Sequence, residues 1–111
     1  MILLALIAAG LAAAGAADGM VQPRKAYEQC LQKLHDSELE QKAEASKFEA
    51  AIGTSCATQE AALKSAIIAH YVGMKTPRAE AEQSATDWVW DLKESAKDRY
   101  RSTIGSQPQA N

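Results

Sequence analysis

Residues 46–74 read SKFEAAIGTSCATQEAALKSAIIAHYVGM. Within this stretch Phe48, Ile52, Cys56, Leu63, Ile67 and Met74 recur at intervals of four and seven. At about 100° per residue these positions share one face of a helix, whereas a strand needs apolar residues at every second position. The constant phase predicts one helix over Lys47–Val72, with Gly53 and the Thr54-Ser55 pair as weak points because these residues are poor helix formers. Ser46-Lys47-Phe48-Glu49 has the S-x-x-E form of a capping box, in which each side chain satisfies the other's free N–H. Gly73 is expected to stop the helix in a left-handed conformation.

Upstream, Tyr27, Cys30, Leu31 and Leu34 keep helical spacing, and the stripe fades where Glu38 and Lys42 occupy the same face. This predicts a first helix over Pro23–Leu39, with Pro23 at its first position, where a missing N–H does no harm. A polar connector, Glu40–Ala45, follows. Downstream, Thr76-Pro77 is expected to restart the chain as N-cap and first helical residue. Ala81, Ala85, Trp88, Val89, Leu92, Ala96 and Tyr100 form a third stripe. Glu80 and Glu82 lie near its start and Lys97, Arg99 and Arg101 near its end, an order that complements the helix dipole. Ile104-Gly105 closes this helix, and residues 106–111 form a polar tail expected to be disordered.

The first seventeen residues differ in kind. Residues 1–17 carry no charged side chain, and small residues line up at Ala14-Gly15-Ala16 before Asp18. This pattern resembles a signal peptide with its cleavage site, although no Lys or Arg precedes the apolar run. The run is short for a membrane span, which takes about 20 residues. Contact with a membrane is therefore expected only through this segment, if uncleaved. The domain division is a signal peptide at 1–17, a helical domain at 18–105 and the tail. The expected location is the periplasm or the medium.

An exported chain passes through an oxidising space, where an even number of cysteines implies a cross-link. Cys30 and Cys56 are the only two, and their spacing fits no zinc or redox motif. A Cys30–Cys56 disulfide would pair the first two helices antiparallel, with Leu34 near Ile52 and Tyr27 near Gln59. The expected fold is all-α: an antiparallel three-helix bundle, or a hairpin plus a third helix, closed by one disulfide. The core should be thin, because aromatics are only 5% of the 111 residues and alanine buries little area.

Composition excludes some roles. The 12 basic and 14 acidic residues are intermixed, giving net charge −2, so no basic stripe invites nucleic acid. No Gly-rich phosphate loop is present and no cofactor is implied. His35 and His70 are the only histidines. His35 beside Asp36 and Glu38 lacks a dedicated metal spacing, so no metal site is expected. His70 falls on the apolar stripe and reads as a core residue; imidazole titration makes it the candidate pH-sensitive group. Acidic pairs such as Glu38/Glu40 and Asp91/Glu94 read as a solvated face rather than as acid–base machinery, so the chain is not expected to be an enzyme.

Trp90 breaks the pattern. It lies about 200° around its helix from Trp88, among Gln83, Asp87, Lys93, Glu94 and Lys97. Ile68 and Ala57 are similarly off the stripe of their helix. A tryptophan on a polar face suggests a contact surface, with Trp90 and Ile68 as candidates, for a protein partner or a second copy. Coverage of Trp90 by the Asp18–Gln22 leader or by the first helix is the alternative.

The segment AYEQCLQKL, the second cysteine 26 positions on in an Ala-rich helix, and the TPRAEAEQSA start resemble small uncharacterised exported bacterial proteins with two cysteines. That resemblance implies export and a helical fold, and no activity. The cysteine pair is also similar to that of periplasmic acid-stress chaperones. The expected function is binding of a protein partner, with an acid- or stress-responsive chaperone as the alternative.

Overall fold

The computed structural model describes residues 19–106, so the signal-peptide assignment and residues 107–111 of the tail lie outside the described part. Among the described residues four helices follow one another: α1 (Val21–Glu40), α2 (Ala45–Ser55), α3 (Ala57–Gly73) and α4 (Arg78–Ser106). The all-α class and the closing disulfide are as the residue pattern predicts. The number of helices is not, because the second rod breaks in two.

The direction of each rod follows from residues that meet. Cys30 bonds to Cys56 and Tyr27 faces Glu60, so α1 runs antiparallel to α2 and α3. Arg101 pairs with Glu49 and Lys93 with Glu60, so α4 is antiparallel to α2 and α3. Arg24 lies over Trp88 and His35 reaches Thr103, so α1 and α4 are parallel. This is the order expected of an antiparallel three-helix bundle. The α3–α4 pairing is the most extensive. Arg24 sits at the level of Trp88, ten residues into α4 but only three into α1, so α4 begins about 10 Å beyond the start of α1.

The interior gathers one stripe from each rod. Tyr27, Leu31, Phe48, Ile52, Cys56, Leu63, Ile67, Ala85, Val89, Ala96 and Tyr100 form the core, with Trp88, Leu92 and Ile68 half-buried at its edge. Phe48 and Tyr100 stack with centroids 4.3 Å apart. The Tyr100 hydroxyl donates to the Ala43 carbonyl at 2.6 Å and so ties α4 to the α1–α2 turn. Glu38, where the first stripe was expected to fade, is 6% exposed and continues the buried face. Met74, expected on the second stripe, is instead exposed at the tip of the α3–α4 hairpin.

The predicted continuous helix over Lys47–Val72 is interrupted at Cys56, whose backbone leaves helical values at φ −113°, ψ 18°. Its N–H still reaches the Ile52 carbonyl, at a long 3.4 Å, and its own carbonyl accepts from the Glu60 N–H at 2.9 Å. The hydrogen-bond ladder therefore bends at this residue rather than ending. Gly53, Thr54 and Ser55 precede the bend and resist it least.

Helix ends also depart from expectation. The first helix begins at Val21, not Pro23, and Met20 caps it without a side-chain hydrogen bond. The connector contracts to residues 41–44. The N-cap of α2 is Glu44 rather than Ser46, so the capping box does not form: Glu44's carbonyl takes the N–H groups of Lys47 and Phe48. Helix α4 starts at Arg78, with Pro77's carbonyl accepting the Ala81 N–H, and it continues past Ile104-Gly105 to Ser106.

Gly73 is the last residue of α3, and the left-handed position falls on Lys75 at φ 69°. Lys75 N–H bonds the Val72 carbonyl and Thr76 N–H the Tyr71 carbonyl, the paired bonds of a Schellman stop. The α1–α2 turn repeats the motif with Lys42 at φ 57°, Lys42 N–H on Leu39 and Ala43 N–H on Glu38. Both left-handed sites thus carry a Cβ, which conflicts with the backbone there. Meanwhile Gly53, inside α2, has open space where a Cβ would stand. Lys42→Gly, Lys75→Gly and Gly53→Ala should each raise stability by about 0.5–1 kcal/mol. Urea denaturation checks this: each midpoint should rise with its slope unchanged, and a lower midpoint for either lysine variant contradicts the assignment.

Candidate functional site

Three side-chain groups on the core's margin carry polar chemistry. The first surrounds Glu60, in the first turn of α3 just past the bend. Its carboxylate accepts from Lys93 Nζ of α4 at 2.8 Å and lies 3.5 Å from Lys64 Nζ, one turn along. The Tyr27 hydroxyl of α1 points at the same carboxylate across 3.5 Å. One carboxylate thus links three helices. Partial burial raises the Glu60 carboxyl's pKa, but the Lys93 hydrogen bond and charge, aided by Lys64, outweigh this and hold it below the ordinary value. Burial, reinforced by the Glu60 charge, pushes the Tyr27 phenol upward, so it remains a donor. Next to this group, Gln59 Oε1 is buried without a hydrogen-bond partner among the described residues.

The second group surrounds His35 in α1. Its ring meets Tyr100 edge-on at 5.4 Å and Phe48 at 6.2 Å. Nδ1 lies 3.3 Å from Asp36 and Nε2 3.3 Å from the Thr103 hydroxyl. The imidazole is therefore a packed, bonded wedge between α1, α2 and α4. Burial raises the Tyr100 phenol's pKa, and the Glu38 charge adds to the effect. His70, the candidate pH-sensitive residue, is half-buried in the last turn of α3 with its ring edge-on to Tyr71 at 5.5 Å.

The third group is the flank of α4. Trp88 is half-buried, with the Arg24 guanidinium 5.8 Å from its ring centroid. Trp90 is 60% exposed. Residues 19–22 do not cover it. Ile68 is half-buried and packs against the core, so the two candidates differ in kind: Ile68 is an edge of the interior and Trp90 stands on the surface.

No cluster of three or more His, Cys, Asp or Glu suited to a metal ion occurs among the described residues. No described helix is long and apolar enough to cross a membrane. Fold and cross-link together define a small all-α protein closed by one disulfide. Compared with protein-family models, characterised proteins and solved structures, the chain matches none.

The Glu60 group was missed because acidic residues in a helical, charge-rich sequence read as a solvated face. A signal existed: the antiparallel pairing through Cys30–Cys56 sets Tyr27 beside Gln59, one residue away, and Lys64 stands four residues along the same helix.

The titrations set two pH windows. Glu60 titrates lower folded than unfolded, so its contribution is complete above about pH 5 and is lost as the pH falls below the ordinary carboxylate range. Tyr27 and Tyr100 titrate higher folded than unfolded, so stability declines above about pH 10, where only the unfolded chain releases those protons. Glu60→Gln should lower stability at neutral pH by about 1 kcal/mol and flatten the acid limb. Urea midpoints measured across the pH range check both, and an acid limb of unchanged steepness in Glu60→Gln contradicts the first.

Proposed function

We propose that this chain is exported to the periplasm or the medium and acts without catalysis, by binding another protein through a surface centred on Trp90. The observation that carries the reading is the 60% exposure of Trp90 within a 29-residue helix. A large aromatic ring left in water gives up burial worth about 2–3 kcal/mol, and such rings supply much of the binding energy where proteins meet. Lys93, Glu94 and Lys97 nearby provide the polar rim expected of such a contact. Two features support export: the uncharged segment over residues 1–17, read as a signal peptide, and the Cys30–Cys56 bond, which persists in oxidising compartments.

A second reading, an acid-responsive chaperone, is favoured by one observation: the link among α1, α3 and α4 is a carboxylate, so acid weakens the contact joining three rods. Dye binding separates the two. If 8-anilinonaphthalene-1-sulfonate fluorescence stays flat from about pH 7 to about pH 2 while helicity is retained, the chaperone reading fails.

Trp90→Ala should leave stability within about 0.5 kcal/mol, as befits an exposed site, and abolish association. Light scattering over a concentration series reads self-association. Capture of a discrete partner from periplasmic extract, by the native chain and not by Trp90→Ala, reads hetero-association. Equal capture by both chains, with the same mass at every concentration, contradicts the reading.

A further inference from the structure

The two halves of α1 are fastened differently. The C-terminal half carries Leu31, Leu34, buried Glu38 and Leu39, and His35 is wedged against Phe48 and Tyr100 and bonded to Thr103. The Ala43 carbonyl beyond it accepts the buried Tyr100 hydroxyl. The N-terminal half, residues 21–29, has one fully buried side chain, Tyr27. Its other attachments are the contact of the Tyr27 hydroxyl with the Glu60 carboxylate, the Arg24 guanidinium over Trp88 and the margin packing of Met20 just ahead of it. Val21 is half exposed and Gln22, Arg24, Lys25, Ala26, Glu28 and Gln29 all face solvent. A helical segment this polar, resting on one ring, gains little from packing relative to the cost of ordering its backbone.

What holds it down is covalent. The Cys30–Cys56 bond sits at the boundary between the two halves and joins α1 to the bend between α2 and α3. Cys56 is fully buried, whereas Cys30 is partly exposed, its Sγ 3.6 Å from the Ser55 carbonyl oxygen. The reachable sulfur is thus on the segment that the bond restrains.

We propose that the disulfide is a latch: it holds the N-terminal half of α1 over Trp88 and the seam between α3 and α4, and reduction by a dithiol frees that half-helix while the rest of the fold stays intact. The exchange balances. A reagent thiolate attacks Cys30 Sγ, the sulfur–sulfur bond breaks, and Cys56 leaves as a thiolate that takes up a proton. The reagent's second thiolate then displaces Cys30, which is protonated in turn, and the reagent becomes the disulfide. Two electrons pass to the protein, and two thiols replace one bond. The inference goes beyond the binding proposal and does not depend on it, since Trp90 is exposed with the latch closed.

Hydrogen exchange on the full chain, oxidised and then reduced with dithiothreitol, tests the latch. Exchange across residues 21–29 should accelerate by about tenfold or more on reduction while residues 78–106 keep their protection. In a Trp90→Phe background, where Trp88 is the remaining indole, emission should shift to the red and dye binding should rise several-fold. A Cys30→Ser/Cys56→Ser chain should behave as the reduced protein without any reagent. Unchanged exchange over 21–29 in both reduced forms overturns the latch, because α1 then holds without it. Loss of protection throughout also overturns it, because the bond then sustains the whole fold.

Discussion

A single covalent bond joins α1 to the point where the second rod bends. In chain-entropy terms, closing a loop of this length removes on the order of 3–4 kcal/mol of freedom from the unfolded chain. That is large beside the stability of a small domain, typically about 5–15 kcal/mol, and larger still for a core built from one phenylalanine, two tyrosines, a few aliphatic residues and alanines. The bond also sets register: with Cys30 opposite Cys56, Tyr27 falls beside Glu60, and the first turn of α3 faces α1.

Glu60 extends that covalent tie by electrostatics. Two lysines from different helices and a tyrosine from a third converge on one carboxylate, close to the disulfide. A carboxylate left alone at this level of burial would be costly, and here its charge is compensated twice. At the opposite end of α1, the contacts are apolar and aromatic: the Phe48–Tyr100 stack, the His35 wedge and the hydroxyl of Tyr100 on Ala43. The bundle is thus held by an ionic and covalent junction at mid-length and, near the α1–α2 turn, by aromatic packing with the Arg101–Glu49 ion pair beside it. Only the first contains a bond that a reductant breaks.

Both interhelical turns place lysine where glycine suits the backbone, while glycines lie inside helices where alanine suits it. Local preference and observed conformation are therefore opposed at Lys42, Lys75 and Gly53. At each turn the paired bonds of the Schellman stop are complete, so the turn is specified by the carbonyls that need partners and by the packing on either side, rather than by the residue at its apex.

The amino-acid sequence by itself determined the class of fold, the direction of the rods and the partner of each cysteine. Apolar residues every three or four positions define the helical faces, and the only two cysteines, read in an expected oxidising compartment, leave a single pairing that sets the rods antiparallel. Tertiary structure decided what spacing cannot carry. The phase from Phe48 to Ile67 runs unbroken through Cys56, yet the rod bends there, where weak helix formers meet a fixed cross-link. Glu38 and Glu60 look like surface charges in the sequence, and only neighbours remote along the chain make one buried and the other a junction. Trp90 shows the same division: its position off the stripe is legible from the helical period, but its exposure depends on whether another segment covers it, a property of packing and not of sequence order.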